Sequence, residues 1–382
     1  MKKDRLKVCY FGTYRAEYSR NKIMINGLKQ NDVEVIECHQ QLWTGIEDRV
    51  NAVQSGWFNP KFWLRVIKAY VKLITKYAKI KDYDVMVVGY PGQFDVFLAR
   101  ILTWLRRKPL VWDIFMSIYL ISVERNLDQK NSLAVRLLHF IENIALRLPD
   151  MLIIDTAEYA KWFETNYKIS RDKFHLVPTG ADDRVFSVID MKKRNPGDEF
   201  IVLYYGTFIP NHGLPYIMDA ARLLKANQDI KFVFIGTGPE LNICLEFQKI
   251  HKLNNTEFLG WKEPKVLVEY IKNADLVLGA FGKTPQSLMT VQNKIYESMA
   301  QKKPIVTGDS PQIRAIFENR KDIFTCERDD SDSLKREILY IKDNQFGLQN
   351  IVDSAYEKYV EKYSINGIGK QFVNHLQGLL EK

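Results

Sequence analysis

The chain has 382 residues, 46% of them hydrophobic and 26% charged, with a formal net charge of +9. This composition excludes a disordered or fibrous chain and provides for two domains with separate cores. No apolar run reaches the roughly 18 residues of a membrane span, and MKKDRLKVCYFGTYR lacks the apolar stretch of a signal peptide. Cys9, Cys38, Cys244 and Cys326 are too far apart in sequence for metal-ligand spacing, so a reduced, cytosolic compartment is expected.

In the first half, strand-type apolar runs at 6–11, 33–37, 84–89, 110–113, 151–155 and 174–178 alternate with helical patterns. That alternation predicts a doubly wound parallel sheet. Ligands of such sheets bind beyond the carboxyl ends of the strands. The loops Gly12-Thr13-Tyr14-Arg15, Tyr90-Pro91-Gly92-Gln93 and Asp113-Ile114-Phe115 are therefore candidates. Gly12 stands outside any Gly-x-Gly-x-x-Gly run, so a dinucleotide fingerprint is not indicated. Arg15 and Arg20 are cations that could meet phosphate.

Residues 57–81 predict a basic amphipathic helix. Lys61, Arg65, Lys68, Lys72, Lys76 and Lys79 form one stripe, and Trp63, Val66, Ile67, Tyr70, Ile74 and Tyr77 lie on the other side. Such a helix can rest on an anionic membrane or dock its apolar side on the sheet as a crossover. A further amphipathic helix is expected over 134–148. Residues 188–199, with Asn195-Pro196-Gly197 as a turn signal, read as the linker between a first domain of 1–190 and a second of 198–364.

The second half repeats the alternation, with strands expected at 200–205, 230–236, 257–259, 275–280, 304–307 and 323–326. Two doubly wound halves imply an intervening cleft. Gly206 and Gly213 flank a loop whose glycines let backbone approach a phosphate, and a helix starts just after it. Thr207 and His212 lie within that loop, and His212 can donate to phosphate or simply cap a turn. The stretch ADLVLGAFGKTPQSLMTVQNKIYESMAQKKPIVTGDS is read as strand, polar loop, helix over 290–301 and strand. The helix start at Thr290 and Val291 offers amides and a dipole to an anion, with Lys294 as a nearby cation. Glu297 is either a hydroxyl-binding carboxylate or a surface charge paired with a lysine.

The segment NKIYESMAQKKPIV, residues 293–306, resembles the donor site of the family-4 glycosyltransferases, retaining enzymes of the GT-B fold: two Rossmann-like domains facing a cleft. The likeness extends over 206–311 and, more loosely, over 150–182, where Gly180 matches the turn that ends the first domain. The resemblance implies that Glu297 binds the ribose of the donor. The family's first glutamate falls on Met289, and its loop arginine and lysine fall on Thr207 and His212. Gly236 matches a turn near the nucleotide, and Trp261 matches a loop bordering the base. It also implies that the first domain presents the acceptor near 12–15 and that Asp113 orients or deprotonates its hydroxyl, a turn carboxylate being the other reading of that residue. The last helix, about 365–382, would pack back on the first domain.

The expected activity is transfer of a sugar from a nucleotide diphosphate sugar to a hydroxyl acceptor with retention. The acceptor would be a surface glycan or glycolipid, with Asp113 and His212 at the reacting centre, no cofactor beyond the sugar nucleotide and no metal. The expected place is cytoplasmic, and the basic face together with the family's habit would bring the enzyme to the inner face of the membrane. The rivals are a non-catalytic, membrane-associated nucleotide-sugar binder, and an epimerase or hydrolase of the same fold. A nucleic-acid binder is disfavoured, because no stacking or helix-turn-helix motif accompanies the charge.

Overall fold

The computed structural model describes residues 5–42, 60–188 and 198–381, with side chains at 61–63, 130 and 346 left aside. The expected linker core at 189–197, Trp57 and the side chains of Lys61 and Trp63 lie outside the described residues. Contacts divide the chain into unit 1, Met1–Thr179 with Ile365–Lys382, and unit 2, Gly180–Ser364.

Unit 1 holds a parallel sheet of order β2-β1-β3-β4-β5-β6. Its strands are β1 (Lys7–Gly12), β2 (Glu34–His39), β3 (Val85–Val88), β4 (Leu110–Asp113), β5 (Met151–Ile154) and β6 (Phe174–Leu176). Runs such as VMVV and MLII are apolar at every position because both faces of the sheet are covered. Helices α1 (Ser19–Gln30), α2 (Pro60–Ala78), α3 (Asp95–Arg106) and α4 (Ser132–Ala145) connect the strands.

Helix α2 lies against β2, but its expected apolar side is divided. Ala69, Leu73 and Tyr77 are buried, and Val66 packs against Leu42 and Ala69, while Ile67 and Ile74 face solvent. The buried arc is centred between Ala69 and Tyr70. At 100° per residue, Ile67 and Ile74 fall outside it.

Unit 2 repeats the plan with order β12-β11-β10-β7-β8-β9. The strands are β7 (Phe200–Tyr205), β8 (Ile230–Ile235), β9 (Thr256–Phe258), β10 (Leu276–Leu278), β11 (Ile305–Gly308) and β12 (Phe324–Cys326). Side chains of β7 alternate between two cores. Val202 and Tyr204 join one, and Leu203 and Tyr205 join the other. Helices α5 (Leu214–Leu223), α6 (Pro285–Met289) and α7 (Asn293–Ala300) stand at the carboxyl ends of its strands. The last helix, α8 (Ile365–Leu380), belongs to unit 1 and packs along α1. Backbone meets backbone at that crossing, since a Cβ on Gly369 would lie 2.0 Å from the Gly27 carbonyl oxygen.

Candidate functional site

The second unit gathers most of the expected donor residues at the end of β7. The strand runs out at Gly206, and a 3-10 turn, Pro210–His212, leads to Gly213, which caps α5. Gly213 has φ 66°, and a Cβ there would stand 2.5 Å from the Gly282 amide nitrogen. Only glycine fits both the left-handed backbone and the approach of the 281–284 loop. The open side of Gly206 is bounded by Lys294 Nζ and His212 Cε1, which lie 3.4 and 3.5 Å from where a Cβ would sit. A cation and an imidazole therefore meet at the glycine that ends the strand. Gly236 serves packing: its Cβ would fall 1.9 Å from the Gly206 carbonyl oxygen.

Lys294 is delivered by α7 and is 4% exposed. Its Nζ sits 4.1 Å from the Tyr204 ring centroid and donates to the Gly279 carbonyl at 3.3 Å. Burial pushes its pKa down to about 7, with the Glu297 carboxylate partly restoring it. Glu297, one turn further along α7, accepts from the Tyr205 hydroxyl at 2.8 Å. Burial drives its pKa up to about 7, against the Tyr205 hydrogen bond and the Lys294 charge. The two tyrosines that end β7 thus serve opposite partners, Tyr204 under Lys294 and Tyr205 against Glu297. Their signal in the sequence is a pair of hydroxyls at the end of an otherwise apolar strand.

His212 Nδ1 lies 2.7 Å from both the Thr207 carbonyl and the Tyr204 hydroxyl. The carbonyl can only accept, so the short contact requires a proton on Nδ1. Burial first, and then the Lys294 charge, hold the ring well below its ordinary pKa. The ring is therefore neutral, and Nε2 is an acceptor until an anion arrives to favour the second proton. This corrects the expectation of a ready donor to phosphate.

Other expectations change with the backbone. The helix begins at Asn293, not at Thr290. Thr290 closes α6, its hydroxyl donating to the Gln286 carbonyl at 2.8 Å, and Val291 is buried in a core. Gln292 caps α7 without a side-chain hydrogen bond, so the helix-start amides belong to residues from 293 onward. Met289 is buried, 8% exposed, and its thioether supplies no carboxylate there. Thr207 and Trp261 are exposed.

Sequence reasoning missed Arg328, a buried side chain just beyond β12. Its Nη1 donates to the Gly282 carbonyl and Ser287 Oγ at 2.7 and 2.8 Å, and its Nε to the Asp309 carbonyl at 2.7 Å. It ties the loop before α6 to the end of β11. Nothing in the local pattern separates it from a surface arginine.

In unit 1 the carboxyl-end loops are turned inward. Asp113 and Arg20 are fully buried and form an ion pair at 2.9 Å. Arg20 also donates to the carbonyls of Val177 and Pro178, both at 2.7 Å. With no exposed surface, Asp113 cannot touch an acceptor hydroxyl and Arg20 cannot touch a phosphate, so both expectations are corrected. A Cβ on Gly12 would meet Asp95 Oδ2 at 2.7 Å. The Thr13 amide donates to that oxygen, also at 2.7 Å. Tyr14 is buried, and of this loop Arg15 alone is partly open.

Comparison with known proteins agrees with this layout. Residues 186–359 match the model of the family described as glycosyl transferases group 1. TuaH of Bacillus subtilis, a glycosyltransferase named for teichuronic acid biosynthesis, is 28% identical over 149 residues, 37% of this chain and 36% of that protein. An uncharacterized glycosyltransferase of Methanocaldococcus jannaschii is 23% identical over 181 residues, 46% of this chain and 44% of that protein. The chain thus spans less than half the length of either curated relative. Anabaena HepE, solved with UDP and glucose, superposes with a TM-score of 0.65 at 14% identity, covering 98% of this chain and 100% of that one. Sucrose-phosphate synthase of Thermosynechococcus elongatus gives 0.72 at 13%, covering 99% and 100%. The chain has the α/β GT-B fold of these glycosyltransferases, and its second unit carries a glycosyl transferases group 1 domain.

Proposed function

We propose that the protein transfers a sugar, with retention, from a nucleotide diphosphate sugar bound by unit 2 to a hydroxyl acceptor. The observation that carries this reading is the convergence of Lys294 and His212 on the open side of Gly206, with Glu297 held by Tyr205 one turn along the same helix. In this reading the diphosphate meets Lys294, the Gly206 and Gly213 backbone and the amides that start α7. Glu297 accepts from the ribose hydroxyls. Lys294 and the oriented amides neutralise the charge that develops on the leaving diphosphate, as preorganised donors do, and no metal is assigned to that task. The protonated Nε2 of His212 would add a donor beside the scissile bond. Trp261 is left free to border the base.

The ligands of HepE and the naming of TuaH support a UDP-type donor and a surface-glycan acceptor. Unit 1 would take the acceptor, with Arg15 at the edge of its strand-end loops, and the basic stripe of α2 would hold the enzyme at the cytoplasmic face of an anionic membrane. A panel of nucleoside diphosphates and their sugars, followed by thermal shift with and without Mg²⁺, tests the donor site. A base-selective stabilisation that Glu297→Ala abolishes supports it. No stabilisation by any of them refutes it.

One observation favours a second reading, a binding protein without turnover: buried Met289 stands where the family has a glutamate. Donor binding with neither transfer to any acceptor nor release of free sugar would select it.

A further inference from the structure

Among the described residues no helix is long and apolar enough to cross a membrane. Unit 1 nonetheless exposes large apolar side chains on three of its helices. In the order β2-β1-β3-β4-β5 the chain moves in one direction from β2 to β5, through α2, α3 and α4 in turn. Right-handed crossovers therefore place these three helices on one face of the sheet. Helices α2 and α3 run side by side. Tyr70 donates to Asp95 Oδ1 at 2.7 Å and Tyr77 to the Leu102 carbonyl at 3.3 Å, and the Arg106 guanidinium lies 4.5 Å over the Tyr77 ring.

In helical projection the solvent side of α2 is split. Leu64, Ile67, Val71 and Ile74 occupy the part nearer α3, and Lys68 and Lys72 the part farther from it. The apolar band continues on α3 through Ile101, Trp104 and Leu105, the last two 71% and 78% exposed. Helix α4, on the same face of the sheet, exposes an apolar stripe of its own, Leu133, Leu137, Phe140 and Ile144, with Leu133 76% exposed. Asp95 and Glu142 are the only acidic residues on the three helices, and both are turned inward and 2% exposed. Asp95 accepts from Thr13 and Tyr70, and Glu142 from Ser117 and Tyr167. The three helices thus join exposed leucine, isoleucine and tryptophan with lysine and carry no exposed carboxylate of their own.

Large apolar side chains exposed together on one face mark an interaction site. A two-fold contact with a second copy would set the same cationic rim against itself with no carboxylate to answer it. An anionic bilayer answers both halves, since acyl chains take the apolar band and headgroups take the lysines. We propose that the α2–α3–α4 face of unit 1 is a bilayer-docking surface, with Trp104, Leu105 and Leu133 entering the headgroup–acyl boundary and the α2 lysines on anionic headgroups. The proposal widens the contact of the basic stripe to three helices and stands apart from the donor assignment.

The test is sedimentation of the full chain with vesicles of phosphatidylcholine alone or mixed equally with phosphatidylglycerol. The expected result is binding to the mixed vesicles that weakens with salt, falls about fivefold for each lysine removed in Lys68→Ala and Lys72→Ala, and is lost in a Leu105→Glu, Leu133→Glu double variant. These side chains are exposed, so the melting temperature and any donor-induced thermal shift should stay as in the parent, which separates this outcome from failure of the donor reading. Should the double variant misfold, brominated lipid provides a second readout: it should quench the tryptophan emission of the parent and quench Trp104→Phe less. The proposal is overturned by absence of binding to the mixed vesicles or by binding that the double variant retains in full. Light scattering that shows a dimer broken by Leu105→Glu would assign the face to a second copy and overturn it equally.

Discussion

The Tyr205 hydroxyl donates to Glu297 Oε2 at 2.8 Å, joining the last residue of β7 to the middle of α7. Burial raises the Glu297 pKa to about 7, and this bond is the first of the forces opposing the rise. Tyr205→Phe should therefore leave more of the carboxyl protonated at neutral pH and remove a hydrogen bond to a charged group, of roughly 1.5–3 kcal/mol. Affinity for a nucleoside diphosphate should fall about tenfold in Tyr205→Phe and further in Glu297→Gln, measured by titration calorimetry. Unchanged affinity in both variants would remove the ribose from this carboxylate.

Donor binding should peak near neutrality. Lys294 must be charged to meet a diphosphate, and its pKa is pushed down to about 7 by burial. Glu297 must be ionised to accept from a ribose, and its pKa is pushed up to about 7. Affinity should decline below pH 7 as Glu297 gains a proton and above it as Lys294 loses one. For the ligand-free protein the signs differ by window. The unfolded chain holds the Lys294 proton up to about 10.5, so stability rises with pH between about 7 and 10.5. The folded chain holds the Glu297 proton longer than the ordinary 4.5 allows, so stability falls between about 4.5 and 7. Lys294→Met should abolish the alkaline decline in affinity and leave the acid one, and Glu297→Gln should do the reverse.

The twelve strands of the described residues were legible as short apolar or β-branched runs between helical patterns, most plainly where both faces are buried, as in VMVV and MLII. Glu297 stood out for another reason, since a charge in the apolar register of a helix is costly unless something answers it, and Lys294 followed as the cation near the helix start. The start of α7 was misread because Thr290 and Val291 continue the apolar pattern. The backbone between α6 and α7 is extended at Thr290, and its hydroxyl is used to close the preceding helix. Asp113 was misread because the sequence places a carboxylate at a strand end but does not place Arg20, 93 residues away, beside it. Long-range partners of this kind, like Arg328 with Gly282, are set by topology and leave no local mark.

Gly213 joins the phosphate-side loop to α5, and its surroundings exclude a side chain. Gly213→Ala would put a methyl 2.5 Å from the Gly282 amide and hold a non-glycine residue at φ 66°. The backbone strain is on the order of 1 kcal/mol, and displacement of the 281–284 loop adds to it. The melting temperature should drop by several degrees, and nucleotide affinity should fall more than in an exposed control outside the loop such as Glu246→Ala. Equal affinity in the two variants would show that the loop does not shape the site.

The Arg20–Asp113 pair predicts a structural phenotype without a kinetic one of its own. Removing one partner leaves the other charge buried, a loss of about 3–5 kcal/mol. Asp113→Asn should lower the melting temperature strongly, and at temperatures where the variant remains folded its turnover should stay within a few fold of the parent. A loss of turnover by several orders of magnitude in a protein that is still folded would restore Asp113 to the reacting centre.

Asp155, just beyond β5, gives the opposite prediction, a stabilising substitution. The carboxyl is 6% exposed, and its Oδ1 has no hydrogen-bond partner among the described residues. Burial raises its pKa to about 7, and the Arg20 guanidinium offsets only part of that rise. The folded chain therefore keeps a proton that the unfolded chain releases near 3.8, and stability declines as pH rises from about 4 to 7. Arg20 is already engaged by Asp113 and two carbonyls, so ionised Asp155 gains little from it. Asp155→Asn keeps the shape and removes the ionisation, and should raise the melting temperature at pH 8 while changing it little at pH 4.5. Urea titrations of both proteins at the two pH values measure this. A loss of stability at pH 8 would show that the charged carboxylate, drawn to Arg20 across the sheet end, is a net support of unit 1.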